Sequence, residues 1–431
     1  MNNKIQLKDA ISIGIGGMVG GGIFAILGLA VSLAQGGTPV AFLLAGIVAL
    51  ITSYSYVHLS KTYPNRGGTV KFINQGFGIS IFSGGANNLL WVSYIIMLSL
   101  YASAFGSYAP NLFQITADKN IDSHIYASLI IIVATAINYY SIKVVGKIES
   151  YAVIIKLIIL IGFIGLGIYG LNGNANISQL AFSNWESPVK LFAGGMIIFV
   201  AYEGFELIAN AAPDIIEPEK NIAKAYYYSV IFVILLYIII AIVTVGSLPF
   251  DKIATAEDYV LAEAAKPMLD QIGFSIITVA ALISTFSAIN ASLLGGSRVS
   301  YEIAEDDELP HHFLSKLWGQ PIGLLIMAIA TLVLVNTLDL ESISTAGSIG
   351  FLFIFGIVNY VGYKLSEEVN GNKIIPLAGM LLCSLALVIL IQQQLSSNVI
   401  GIVIAALIIA FCFIIEWLHK HYSKPENEIS N

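Results

Sequence analysis

The sequence predicts an all-α membrane protein, and two features lead to that prediction. Hydrophobic residues make up 57% of the 431 residues, whereas charged residues make up only 11%. A soluble domain carries about 25% charged residues, so most of this chain must lie away from water. The second feature is a series of twelve apolar stretches, each near the length of about 20 residues that a helix needs to cross a bilayer.

The twelve predicted transmembrane helices follow one another along the whole chain, with short loops between them. We place them at 9–33, 39–60, 79–111, 122–141, 148–171, 189–212, 222–247, 271–301, 321–338, 343–364, 374–393 and 397–419. Together they form a single transmembrane domain over 1–431. The third and the eighth are long enough to tilt or to protrude from the bilayer.

Lysine and arginine are distributed unequally between the two sets of loops. Fifteen of the 20 lie in loops on one side of the predicted spans, and Lys156 lies inside a span. The other side has four, namely Lys119, Lys190, Lys252 and Lys266. Because positively charged loops remain cytoplasmic, this bias predicts a multi-pass protein of the cell membrane with both termini in the cytoplasm.

Several classes of function are disfavoured by the composition. No basic patch is available to bind nucleic acid. Cys383 and Cys412 both lie in apolar segments, and they predict no disulfide framework, metal site or cofactor. A membrane-embedded enzyme would need clustered histidines, serines or metal ligands within the spans, but the six histidines lie in loops, in the tail or near span ends. A channel would need pore-lining rings from several subunits, which nothing in the chain suggests.

The first apolar segment is interrupted by glycines. Each glycine costs roughly 1 kcal/mol relative to alanine in a helix interior, and three stand in a row at Gly20, Gly21 and Gly22. Non-helical backbone at membrane depth is tolerated where it lines a cavity or is buried in protein. We therefore predict a break whose backbone N–H and C=O groups face a ligand. The alternative is that glycines only allow close helix packing, which suits Gly14, Gly16 and Gly17 better than three consecutive glycines.

The sixth segment has a comparable feature, with Gly204 between two carboxylates, Glu203 and Glu206. A charged residue at a helix centre costs at least a few kcal/mol, which predicts that it faces a cavity. This segment comes five spans after the first, and because five is odd the second set of five enters from the opposite side. This predicts an inverted repeat of 9–171 against 189–364, followed by two additional helices over 374–419.

The two predicted breaks together suit a zwitterionic ligand. The N-terminus of a half-helix offers free N–H groups and the positive end of a dipole, which favour a carboxylate. The carbonyl ends favour an ammonium group or a cation. A small molecule that carries both charges therefore fits between the breaks, which is the arrangement expected of a transporter binding site.

Lys156 is a basic residue within the fifth segment, about eight residues or roughly 12 Å from its cytoplasmic end. A lysine that loses and regains a proton at this depth would be a coupling element. The alternative is a snorkelling lysine bound to backbone carbonyls. Ser284 and Ser287 belong to a polar stripe in the eighth segment. They either form a wall of the cation or substrate site or bond to the preceding helical turn.

Three stretches of sequence carry a family resemblance that covers essentially the whole chain. They are 20–24 in the first segment, 199–221 in and after the sixth, and 298–310 after the eighth. The chain resembles the amino acid–polyamine–organocation superfamily of transporters, and most of all its prokaryotic proton-coupled amino acid transporters of broad specificity. This resemblance implies a leucine-transporter-like fold, a 5+5 inverted repeat with helices 1 and 6 broken.

The resemblance also implies roles for individual residues. The substrate carboxylate would meet backbone N–H groups at Gly20 to Gly22, and its ammonium would meet carbonyls near Phe199 to Tyr202. Lys156 matches a lysine that occupies the place of a sodium ion in sodium-coupled relatives, with Ser284 and Ser287 nearby. The implied substrate site comprises Val19, Gly20, Gly21, Gly22, Ile23, Phe199, Ala201, Tyr202, Glu203 and Gly204.

The expected function is secondary active amino acid transport, as proton-coupled symport by alternating access. Its partners are an amino acid, a proton and the lipid bilayer. The alternative is an exchanger of amino acids or polyamines without net proton coupling. The chain departs from the family pattern at two positions. It has Gly21 where many relatives have serine. It has Val200 where several relatives have an aromatic gate, which leaves Phe199 or Tyr202 for the role of the gate. Glu203 and Glu206 either favour a cationic substrate or carry protons.

Overall fold

The computed structural model describes residues 4–140, 142–171 and 175–422, whose regular structure is almost entirely helical. The helices of the first part of the chain are α1 (Leu7–Met18), α2 (Gly22–Ala34), α3 (Thr38–Thr62), α4 (Thr69–Phe77), α5 (Ile81–Tyr108), α6 (Lys119–Tyr140) and α7 (Ile142–Gly170). Those of the second part are α8 (Pro188–Ile197), α9 (Leu207–Ala211), α10 (Pro218–Ser247), α11 (Phe250–Thr255), α12 (Val260–Glu263), α13 (Lys266–Glu305), α14 (Gly323–Thr337), α15 (Leu340–Lys364), α16 (Ile374–Ser397) and α17 (Val399–Tyr422). An antiparallel hairpin of β1 (Lys316–Leu317) and β2 (Gln320–Pro321) precedes α14.

The number of full-length membrane helices differs from the predicted twelve. Among the described residues, ten helices are long and apolar enough to cross a membrane, and α1 with α2 adds an eleventh if the bent pair is one span. The difference lies at the predicted ninth span, 321–338, where α14 has 15 residues. At 1.5 Å per residue α14 is about 22 Å long, shorter than the hydrocarbon core of about 30 Å. The twelve-span arrangement is therefore not confirmed.

The interrupted segments lie at the centre of the molecule. The stretch Pro188–Asp214 is almost entirely buried, whereas most of α17 is not. The helix α10 packs against α1 and α3, and α13 packs against α5 and α7. Among the long apolar helices of the described chain, α6, α7, α16 and α17 are the least buried. Their exposed faces are expected to contact lipid.

The helix α13 contains a kink near its start. Leu269 and Asp270 have non-helical backbone angles, and the φ angle of Asp270 is 48°. The uninterrupted part of the helix begins after Asp270 and contains the predicted eighth span, 271–301. This part carries Ser284 and Ser287 into the centre of the molecule, where both are buried.

A buried carboxylate joins several elements where the chain leaves α13. Glu308 accepts hydrogen bonds from the Ser83 hydroxyl at 2.7 Å, from the Asn87 amide at 2.6 Å and from the Asn74 amide at 3.3 Å. Asn88 donates to the backbone carbonyl of Glu308 at 3.2 Å. The loop after α13 is thereby attached to α4 and to the start of α5.

The residues before α1 are attached to those that follow α9. The N–H of Ile5 donates to the carbonyl of Asp214 at 2.8 Å, and the N–H of Ile216 donates to the carbonyl of Ile5 at 3.0 Å. These bonds form a short parallel bridge between Ile5 and Ile215. The far ends of the two interrupted segments are therefore held together.

Candidate functional site

The first membrane segment bends at its glycines. The helix α1 ends at Met18 and α2 begins at Gly22, and the two helices meet at an angle of 47°. Because the first N–H groups of a helix have no intrahelical acceptor, the start of α2 presents donors at the bend. The predicted interruption at Gly20 to Gly22 is thus present, with its non-helical residues at 19–21.

The sixth membrane segment changes helical type and then stops. After α8 the chain forms a 3₁₀ helix over Ile198–Tyr202, and α9 begins at Leu207. Between them Gly204 has a φ angle of 115°. Residues with a Cβ rarely adopt that region, so glycine is the residue that allows the chain to turn there. Both predicted interruptions are therefore features of the backbone.

The two interruptions contact each other through residues that lack side chains. A Cβ added to Gly17 would lie 2.8 Å from the carbonyl oxygen of Gly204. A Cβ added to Gly22 would lie 3.0 Å from the Cα of Ala201. Real Cβ atoms do not approach backbone atoms at the first of these distances without a shift. The glycines therefore permit two stretches of irregular backbone to lie side by side.

Side chains from three other helices bind the carbonyl groups at the first bend. The hydroxyl of Tyr237, on α10, donates to the carbonyls of Met18 at 2.7 Å and of Ala201 at 3.2 Å. The hydroxyl of Ser284, on α13, donates to the carbonyl of Gly20 at 2.8 Å and more weakly to that of Val19 at 3.2 Å. The third donor is a lysine on α7.

Lys156 reaches the bend from α7. It is fully buried, and its Nζ donates to the carbonyl of Gly16 at 3.1 Å. The two helices are close at this point, because a Cβ on Gly16 would lie 3.1 Å from the Val153 side chain. A lysine ammonium is thus held against the last turn of α1, where the carbonyl end of a helix favours positive charge.

Two carboxyl groups occupy the turn of the sixth segment. The hydroxyl of Tyr101 donates to Glu203 at 3.2 Å, and the hydroxyl of Tyr94 donates to Glu206 at 3.3 Å. The N–H of Gly204 also donates to Glu206, at 2.8 Å. Both carboxylates are nearly inaccessible, with 3% and 1% exposure. The turn therefore has carboxyl groups at its centre and tyrosine hydroxyls from α5 around them.

A small cavity lies between Gly17 of the first segment and Glu203 of the sixth. Its volume is about 10 Å³, the space of a single water molecule. It is lined by residues from α1, α5, the sixth segment and α13, namely Gly16, Gly17, Tyr101, Glu203, Leu207, Ser287, Ala288, Ala291 and Ser292. This volume is smaller than an amino acid.

The structure brings most of the predicted site residues together. Gly20, Gly21 and Gly22 form the bend with Val19 beside them, and Ala201, Glu203 and Gly204 face it from the sixth segment. Gly21 lies against the Tyr101 ring, and Ser284 and Ser287 approach from α13. Ile23 follows the bend and is fully buried.

Two predicted residues direct their side chains away from the bend. The ring of Phe199 packs against Phe355 of α15 at a centroid distance of 5.8 Å. The hydroxyl of Tyr202 donates to the carbonyl of Phe42, on α3, at 2.8 Å. These two residues contribute backbone to the site, while their side chains contact neighbouring helices.

Sequence reasoning missed several residues that complete the site. Tyr101 and Tyr237 are tyrosines in apolar segments, where an inward-facing tyrosine has the same sequence pattern as one at the lipid surface. Ser344 and Ser348 of α15 donate to the carbonyl of Ile197, at 2.9 and 2.7 Å, and so satisfy the end of α8. Their spacing of four residues on one helical face was the available signal.

Comparison with known proteins finds similarity over nearly the whole chain. The family model for amino acid permeases matches residues 5–394. The inner membrane transport protein YbaT of Escherichia coli is 32% identical over 416 residues, which cover 95% of this chain and 96% of that protein. An uncharacterised protein of Methanocaldococcus jannaschii is 34% identical over 399 residues, covering 92% of this chain and 91% of that protein.

A more distant similarity extends to a plant protein. Cationic amino acid transporter 7 of Arabidopsis thaliana, a chloroplastic protein, is 24% identical over 384 residues, which cover 83% of this chain and 64% of that protein. The family model includes both interrupted segments, α7 with Lys156, and α13. The matched region thus contains every group described at the two breaks.

Proposed function

Because this chain belongs to the amino acid permease family, we propose that it is a secondary active amino acid transporter that couples uptake to protons. The observation that carries the proposal is the contact of the Lys156 ammonium with the carbonyl of Gly16, beside the bend in the first segment. A titratable group bound to the end of α1 can link protonation to the position of that half-helix.

The proposed architecture is the leucine-transporter-like inverted repeat of twelve spans. Its repeats are 9–171 and 189–364, and 374–419 adds two helices. The interruptions in the first and sixth segments, and their contact through Gly17 and Gly204, support this arrangement. The excess of basic residues on one side supports a cell-membrane location with both termini in the cytoplasm.

In this proposal the substrate lies between the two interruptions. Its carboxylate meets N–H groups at Gly20 to Gly22, where α2 begins and its dipole is positive. Its ammonium meets the carbonyl groups of the sixth segment between Phe199 and Tyr202. The closed cavity beside Gly17 opens to accept the substrate, as alternating access requires.

Lys156 is the proposed coupling group. The protonated amine donates a charge-assisted hydrogen bond to Gly16, and such bonds are roughly twice as strong as neutral ones. Loss of the proton weakens the attachment of α1 to α7 and favours the state in which α1 has moved. The positive charge of the protonated lysine at this place also repels sodium, which disfavours coupling to sodium.

Uptake into proteoliposomes tests this function. We would measure labelled amino acids under an imposed inward proton gradient, with and without sodium, for the wild type, Lys156→Ala and the control Lys190→Ala. Lys190 is half exposed and pairs with Glu186 at 3.1 Å. We expect uptake that requires the proton gradient, ignores sodium, is lost in Lys156→Ala and is retained in the control.

Two other results would change the assignment. Gradient-driven uptake that is unchanged in Lys156→Ala would contradict the role of this lysine. Uptake that occurs only with substrate preloaded inside would indicate the exchanger. Thermal unfolding of each purified variant shows whether a loss of uptake reflects a loss of folded protein.

A further inference from the structure

We infer that Glu203 is the specificity-determining residue of this transporter, selecting amino acids with a cationic side chain, and that Glu206 is its positioning residue. This inference rests on the proposed function, since it concerns the substrate of the same site. The two carboxylates differ in their surroundings. Glu206 is bound to the backbone of the turn, whereas Glu203 lines the cavity.

Glu206 is bound on both of its oxygens. Oε2 accepts the N–H of Gly204 at 2.8 Å, and Oε1 accepts the hydroxyl of Tyr94 at 3.3 Å. Gly204 has the positive φ angle that makes the turn. Glu206 therefore holds the turn in shape, and it is not among the residues that line the cavity.

Glu203 has the opposite environment. It lines the cavity together with Gly17 and Ser287, and its Oε2 accepts the hydroxyl of Tyr101 at 3.2 Å. It belongs to the same turn as Glu206, on the other side of Gly204. A carboxylate that faces the space between the two breaks is placed to meet the side chain of a substrate bound at those breaks.

The ion pairs between described residues do not include either glutamate. Among the described residues, the titratable groups that face the pair are phenols, namely Tyr94 and Tyr101 of α5, Tyr56 of α3 and Tyr226 of α10. From α7, Lys156 binds the carbonyl of Gly16, which also lines the cavity.

Two adjacent carboxylates in a dry interior do not both ionise, because like charges at this separation repel strongly. In this inference the pair shares one proton in the empty site and carries a single negative charge. A cationic side chain that enters replaces this proton: one O–H bond breaks, the proton leaves to water, and the second carboxylate charge is balanced by the ammonium or guanidinium. The net charge of the occupied site is unchanged.

A neutral amino acid has no such group, so it leaves the shared proton in place. Binding of a cationic substrate thus releases one proton, whereas binding of a neutral substrate of the same size releases none. This difference separates recognition by Glu203 from the coupling proposed for Lys156, which applies to both classes of substrate.

The experiment uses the matched pair L-lysine and L-norleucine, which differ in the terminal ammonium. Purified wild-type protein, Glu203→Gln, Glu206→Gln and Glu302→Gln would be titrated in weakly buffered solution with a pH-sensitive dye, and affinity would be measured in parallel. Glu302 is a half-buried control near the end of α13. L-Arginine and L-ornithine extend the cationic set.

We expect the wild type and the control to release about one more proton per lysine bound than per norleucine bound. In Glu203→Gln this difference should vanish, and the preference for lysine over norleucine should fall by about tenfold or more, because a desolvated charge pair is lost. Thermal unfolding of purified Glu203→Gln shows whether the variant is folded, and norleucine binding measured in parallel separates a loss of selectivity from a loss of the whole site.

Two results would overturn the inference while leaving the proposed function intact. One is gradient-driven uptake of norleucine with no binding of any cationic amino acid by the wild type. The other is an unchanged lysine preference in Glu203→Gln. If Glu203→Gln loses both substrates equally although it remains folded, the carboxylate binds the α-ammonium common to both, which also contradicts a role in selecting side chains.

Discussion

Gly17 and Gly204 bring the backbones of the two interrupted segments into contact. A Cβ on Gly17 would lie 2.8 Å from the carbonyl oxygen of Gly204 and 2.9 Å from its Cα. The neighbouring atoms are backbone on both sides, so neither can rotate away. The distance between the first and sixth segments is therefore set by the absence of two side chains.

Replacing Gly17 with alanine should separate the two segments. Excess volume in a packed interior costs about 1–3 kcal/mol, and here it also displaces the turn that carries Glu203. We expect Gly17→Ala to reduce proton-driven uptake by at least about tenfold and to lower the unfolding temperature. Gly162→Ala is the control, because a Cβ there has no atom within 4 Å. Equal uptake by both variants would show that this contact is unimportant.

Tyr237→Phe should weaken the attachment between the same segments. The hydroxyl of Tyr237 binds the carbonyls of Met18 and Ala201, and its loss leaves both without this donor. An unsatisfied buried polar group costs about 1–3 kcal/mol. We expect a lower unfolding temperature and a raised KM for uptake, whereas Tyr228→Phe, an exposed position on the same helix, should resemble the wild type. An unchanged KM would exclude a role in shaping the substrate site.

Ser284→Ala tests the donor that α13 supplies to the bend. The hydroxyl binds the carbonyl of Gly20 at 2.8 Å, and its removal frees that carbonyl at the predicted substrate site. The free energy of unfolding should fall by about 1 kcal/mol, and proton-driven uptake should fall several-fold more than in Ser275→Ala. Ser275 is a half-buried serine on the same helix. A transport rate equal to that of the control would contradict this role.

Glu308 should make stability depend on pH. Burial raises the pKa of its carboxyl group, although hydrogen bonds from Ser83, Asn87 and Asn74 oppose the shift. A raised pKa in the folded state means that the folded protein binds the proton more tightly than the unfolded chain does. The contribution of Glu308 to stability is therefore greatest below the ordinary glutamate pKa of 4.5 and is lost as the pH rises through the raised value.

The measurement is the unfolding temperature of detergent-purified protein from pH 4 upward. Glu308→Gln cannot ionise, so the decline that the wild type shows above the ordinary glutamate pKa should be smaller in this variant. Glu305→Gln, at an exposed position, should follow the wild type. A decline of the same size in Glu308→Gln would assign the pH dependence to other groups.

The sequence was sufficient for the features that depend on local chemistry. Three consecutive glycines at 20–22 predicted the first interruption, and Gly204 between carboxylates predicted the second. Such residues are costly in a continuous apolar helix, so a break in the helix is the simplest explanation for them. The partners of those breaks were not predictable in the same way. The contact of Tyr237 with Met18 joins residues far apart in the chain, and apolar patterns do not indicate which face of a long helix turns inward.

The length of α14 shows a second limit. Hydropathy counts apolar residues, and it predicted a span over 321–338. In the structure Gln320 and Pro321 form β2, and α14 begins only at Gly323, so the helix is shorter than the predicted span. The role of Lys156 depends on function rather than on structure. Its Nζ lies beside the carbonyl of Gly16, whereas coupling to protons stays a prediction until uptake is measured.

The bridge between Ile5 and Ile215 joins the far ends of two half-helices, α1 and α9. The helix α1 has 12 residues and is about 18 Å long, so a rotation of about 10° at the bend would move its far end by about 3 Å. Because the bridge joins that end to the chain after α9, we expect the two half-helices to move together. A crosslink that fixes Ile5 to Ile215 should therefore permit turnover, whereas one that fixes α1 to α7 should arrest it.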